Sequence, residues 1–177
     1  QALIDHGDLI ESHFMKEEPR LGSQKFYKLN QARQKEGYFI YVPEGLAISE
    51  PLEVFNWISG EDSGIFPYSL IISGKGSEVS VADYFGSSDD QMGLVCGVSD
   101  LIAEEDSKLT YVRTQNLSEN AHSIQLSNVM SYENSKVKNF SLNLGCEWLR
   151  HESISRLLGD GANSEMISVS VPENSQE

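Results

Sequence analysis

Two cysteines, four histidines and a few acidic pairs are the residues of this chain that could carry chemistry, and their spacing decides what each could do. Cys96 and Cys146 lie 50 residues apart and belong to no C-x-x-C. Neither a zinc knuckle nor a secreted disulfide framework is indicated, so reduced thiols are expected. Cys146, just ahead of "EWLRHE", is the one candidate thiol for a chemical role. Free cysteine is also among the most buried residue types, and packing is its expected role. Cys96, in "GLVCGV", is flanked by apolar residues and glycine and is expected to be buried and inert. His151 and Glu152 open "HESIS", which lacks the second histidine of H-E-x-x-H and falls in a predicted strand. They are expected to be a surface pair on the flank of the fold. His6, His13 and His122 are scattered and form no ligand set. "GKGSE" at 74–78 lacks the G-x-x-x-x-G-K-[ST] phosphate loop, and its glycines are expected to supply positive φ at a turn. The adjacent aspartates of "SSDDQ" at 87–91 are expected to be solvated. No residue is assigned as catalytic, cofactor-binding or metal-ligating.

The elements that position these residues must come from a chain of 177 residues with a formal charge of −14. That length is enough for one domain with a buried core and no staple. The acidity, with no Lys/Arg cluster, argues against nucleic acid or anionic lipid as partner. No apolar run approaches the roughly 20 residues that span a bilayer, and no basic-then-apolar leader is present. The chain opens on Gln1 rather than Met, and a fragment of a longer protein is expected.

Residues 1–37 read as an N-terminal helical segment: Phe26, Leu29 and Ala32 recur at three-residue steps behind Ser23 as N-cap, and Gly37 stops the run. Residues 38–177 read as strand and turn, with "GYFIYVPEG" and "EVFNWI" as the first strands. From Tyr68 the chain is periodic. Ser69, Ser99, Ser127 and Ser155 share one context and step by 30, 28 and 28 residues. Beyond a polar corner, Ser77, Ser107, Ser135 and Ser164 step by 30, 28 and 29, and an apolar column follows at Ala82, Val112, Phe140 and Val169. Two strands and two corners per unit cannot close a core alone, and stacking them buries the columns. The pattern lacks the signatures of leucine-rich, WD40 and helical repeats. It predicts an all-β, right-handed parallel β-helix, a flattened solenoid of about 28–30 residues per coil. Stacked serines are expected to form hydrogen-bonded ladders. The N-terminal helices could cover one end of the stack, and the other end is expected to continue into further coils past Glu177 that pair with a second subunit.

Three stretches resemble the SufB/SufD family of the SUF iron–sulfur cluster assembly system: Tyr41-Val42-Pro43-Glu44-Gly45, Glu133-Asn134-Ser135-Lys136 and Leu149-Arg150-His151-Glu152. The likeness runs from about Lys25 to the end. "SLNLGCEWLRHE" is closer to SufD, and Met130 stands where the SufB branch tends to carry a cysteine. The resemblance implies a non-catalytic, cytoplasmic scaffold subunit (plastid in a plant or alga) that pairs with a SufB-like or identical β-helix chain. It also implies that a SufC-like ATPase docks on a C-terminal region absent from this chain. No cofactor is expected on the fragment, and the Fe–S cluster would be handled by the assembled complex. The rival is a polysaccharide-active parallel β-helix enzyme with an acidic groove. It requires carboxylates stacked in adjacent coils, whereas the aligned column holds Glu78, Lys108, Lys136 and Glu165. An extracellular adhesive β-helix is disfavoured by two unpaired cysteines and no signal.

Overall fold

A computed structural model describes residues 2–16, 23–60 and 63–171; parts of the expected helical segment (17–22) and of the chain end (172–177) lie outside the described residues. Three helices, α1 (Ala2–Asp5), α2 (Gly7–His13) and α3 (Gln24–Arg33), precede the strands. The strands are β1 (Gly37–Val42), β2 (Leu52–Ile58), β3 (Ser63–Ile65), β4 (Tyr68–Ser73), β5 (Glu78–Ser87), β6 (Gly93–Ala103), β7 (Lys108–Leu117), β8 (Ala121–Ser131), β9 (Lys136–Gly145), β10 (Trp148–Leu157) and β11 (Asn163–Val171). They form two sheets, ordered β1-β4-β6-β8-β10, with β3 beside β6, and β2-β5-β7-β9-β11. Every strand pairing is parallel. The fold is therefore the expected parallel β-solenoid, each coil giving one strand to each sheet.

One corner explains the repeated sequence. Gly45, Gly76, Asp106, Asn134 and Gly161 all have positive φ, between 55° and 70°. Only Gly, or Asn and Asp with their short polar side chains, adopt that conformation readily. The N–H groups of Gly45, Gly76, Asp106 and Asn134 each bond a carbonyl of the next corner, those of Lys75, Glu105, Glu133 and Asp160, at 2.8–2.9 Å. "VPEG" is thus a fifth corner, which the serine pattern had not counted.

The serine columns hold for three coils and fail at the fourth. Ser69, Ser99 and Ser127 are in register, but the next residue is Ser153, and Ser155 stands opposite Val129. Likewise Asn163 stands opposite Lys136, so Ala162 rather than Ser164 follows Ser135. Ile167, not Val169, continues the column of Phe140. The cause lies in the far corners, which shorten along the chain (88–92, 118–120, 146–147), so the steps run 30, 28 and 26. A fixed period placed the last copy two residues too late. The expected serine ladders are not formed at the corners either. Ser73 and Ser77 bond each other at 2.7 Å, and Ser107 and Ser135 donate to Glu104 and Tyr132 carbonyls within their own corners.

Alternation sends successive side chains to opposite faces. Inward residues of both sheets meet in one apolar cluster that includes Ile71, Leu101, Val129, Val81, Leu109 and Val137. The outer face of the first sheet, with Leu70, Ile72, Val98, Ile102, Leu126 and Met130, packs against Met15 and Tyr27 of the helical layer. The helices therefore cover a face of the solenoid and not its end, because that face is apolar and needs covering. Pro67 makes a specific anchor for α3. It pairs with the level of Gly97 and lacks the N–H that would reach the Cys96 carbonyl. Asn30 Nδ2 donates there instead, at 2.6 Å, and to the Pro67 carbonyl at 3.0 Å.

Candidate functional site

The interior is not uniformly apolar. Asp83 and Arg113 occupy neighbouring inward positions of β5 and β7, and both are about 1% exposed. Asp83 accepts from the Tyr38 and Tyr111 hydroxyls at 2.8 and 2.6 Å and from Asn56 Nδ2 at 2.7 Å. Burial nonetheless raises its carboxyl above the ordinary range, the hydrogen bonds and the Arg113 charge opposing. Burial also lowers the Arg113 guanidinium. Arg113 Nη2 donates to Asn143 Oδ1 at 3.1 Å, and Asn143 Nδ2 donates on to Ser168 and Ser170. Gln115, the next inward residue, accepts from Ser123 and donates to Cys146 Sγ at 3.4 Å.

Two further polar clusters sit between the first sheet and the helices. Asp100 accepts from Tyr68 OH at 2.6 Å and Asn128 Nδ2 at 2.8 Å, while Tyr68 OH accepts the Met15 N–H. Burial pushes the Asp100 carboxyl up to about 6. In the other cluster, Arg150 Nε donates to Ser23 Oγ and Glu152 Oε1, both at 2.7 Å, and Ser23 also donates to Glu152. Ser23 does precede α3 as expected, but its hydroxyl makes no capping bond because it holds Glu152 instead.

The thiols are placed for packing. Cys146 is 1% exposed among Ile58, Phe85, Val95, Leu117 and Ala121, and burial pushes its thiol up to about 11. Cys96 lies beneath α3, donates to the Phe26 carbonyl, and is pushed up to about 12. Both are protonated at neutral pH, whereas the thiolate is the nucleophile and metal ligand. His151 and Glu152 are not the expected surface pair. In a strand they face opposite ways, His151 inward beside Ser168 and Glu152 outward onto Ser23. Burial, then the Arg113 charge, lowers His151 to about 3 and keeps it neutral. His122 pairs with Glu147 at 3.0 Å on the surface. Among the described residues no three of His, Cys, Asp and Glu gather to hold a metal ion. No helix among them is long and apolar enough to cross a membrane. Sequence reasoning missed Asp83, Arg113 and Asp100; for the first two the available signal was a charge at the same inward parity as Val79 and Val81 or Leu109 and Tyr111, and Asp100 shares instead the outward parity of Val98 and Ile102.

The chain matches the family described as "SUF system FeS cluster assembly, SufBD core domain" over residues 56–177. It is 28% identical, across 95% of its length, to an iron–sulfur cluster assembly SufBD family protein of Staphylococcus saprophyticus. It is 29% identical, across the same share, to a protein so described from Staphylococcus aureus. It spans 36% of the length of each of these relatives. A β-solenoid of these corners, matched over most of its coils, places the chain in the SufBD family of iron–sulfur cluster assembly proteins.

Proposed function

We propose that this chain is part of a SufD-like, non-catalytic scaffold subunit. It serves cluster assembly with a SufB-like or identical β-helix partner and a SufC-like ATPase, in the cytoplasm or a plastid. The observation that carries this reading is the state of the two thiols: both are buried in packed surroundings and held protonated. A chain whose cysteines only pack supports assembly through its surfaces, and the cluster is cargo of the complex. Met130, packed on the outer face of the first sheet, further supports the SufD branch. The polysaccharide-enzyme alternative gains no support from the outward column at the strand starts, which runs Glu78, Lys108, Lys136, Asn163.

Anaerobic purification of the full-length protein with its neighbours, followed by mass spectrometry and metal analysis, tests this. A second β-helix subunit and an ATPase are expected, with Cys146→Ser leaving the iron content unchanged. Iron or zinc held stoichiometrically by this subunit alone and lost in Cys146→Ser would overturn the scaffold reading.

A further inference from the structure

The two sheets expose their outer faces unequally. The first is covered by helices, whereas the second carries apolar side chains that belong to none of the packed clusters among the described residues. Phe140, Leu142 and Leu144 alternate outward on β9 and are half-buried. Across the sheet, Phe55 and Trp57 of β2 are 70% and 56% exposed. A Cβ on Gly86 would lie 2.7 Å from the Trp57 ring, so the glycine lets the indole lie flat on β5 and widen the surface. Beyond Leu144 and Asn116 this face drops into an open depression of about 510 Å³ whose rim carries Asp89, Asp90 and Glu119, all exposed.

We propose that this face docks an amphipathic helix of a partner protein whose apolar stripe is bordered by lysine or arginine. This face extends about 13 Å along the strands and about 19 Å across five of them, with Val112, Thr114 and Asn116 of β7 between its two apolar sides. That footprint suits one helix about 10 Å wide and three to four turns long. The molecule already covers its other outer face in this way, with Met15 and Tyr27 of its helical layer. The acidic depression selects the flank: a basic side chain bordering the stripe on that side reaches Asp89 and Asp90. A second copy fits less well, since it brings another −14 of charge.

The test uses two synthetic peptides of about 18 residues, one of leucine and lysine and one of leucine and glutamate in the same pattern. Trp57 fluorescence is read in a Trp148→Phe background. Saturable binding of the lysine peptide is expected, weakened roughly tenfold by Phe140→Ser/Leu142→Ser and by Asp89→Asn/Asp90→Asn. Phe55→Ser, at a position that contributes little to folding, should weaken it too. The proposal fails if the lysine peptide does not bind, if the apolar substitutions leave its affinity unchanged, or if the glutamate peptide binds equally. It fails also if sedimentation shows a dimer that Phe140→Ser/Leu142→Ser disperses, which would make a second copy the occupant.

Discussion

Arg113 is the most demanding side chain in the molecule, a guanidinium fully buried between Asp83 and Asn143. Removing one partner of a buried charge set leaves the other uncompensated, so Arg113→Ala should destabilise by about 3 kcal/mol. Urea unfolding measures this, and substitution of exposed Lys75 should leave the midpoint unchanged. Asp100 gives a pH dependence. Its folded-state value of about 6 lies above the ordinary 3.8, so the folded state holds the proton more tightly than the unfolded chain. Its favourable share of stability is complete below about pH 4, falls as pH rises through 6, and is flat above. Over that window wild type should lose about 3 kcal/mol relative to Asp100→Asn, as read by unfolding at a series of pH values. These polar interior positions were poorly legible in the sequence. A charge at an inward position reads as an interruption of the apolar pattern until its partner 30 residues away, Arg113 for Asp83, is seen to lie beside it.

The corners and α3 are the elements on which the stack depends. Asn134 has φ 55°, and a β-branched side chain there is strained. Asn134→Val should cost about 1–2 kcal/mol, while Asn134→Gly should be close to neutral; thermal unfolding separates them. Asn30 substitutes for the missing N–H of Pro67, so Asn30→Ala orphans the Cys96 carbonyl and loosens α3. Cys96 lies under that helix, and in a Cys146→Ser background its reaction with a thiol reagent should accelerate roughly tenfold. An unchanged rate would mean that α3 is held by its apolar contacts alone. The strand pairs and four of the corners were legible because each element obeys a short local pattern. The register of the fourth copy was not, since "SISRL" offers serines at both 153 and 155, and only the shortened corner at 146–147 selects the first.

At the scale of the molecule, β10 and β11 each pair on one side only among the described residues. Leu157, Leu158, Met166, Ile167, Val169 and Val171 are exposed there. Unpaired backbone beside apolar side chains is a template for further strands. Residues 1–177 expressed alone should therefore self-associate with rising concentration in sedimentation, and the amides of β11 should exchange quickly. A stable monomer with protected β11 amides would contradict this. The solenoid itself was legible because its period repeats over 100 residues, whereas the covering of the first sheet was not, since no local pattern says which face a helix will choose. The bond between Ser23 and Arg150 spans 127 positions of chain. Ribosomes add about 5–20 residues per second, so Ser23 leaves the ribosome some 6–25 seconds before the residue that fixes it. For that interval the newly made helix has no partner on β10, and the early coils must hold together with their apolar outer face incompletely sealed, a window in which a chaperone would find its target.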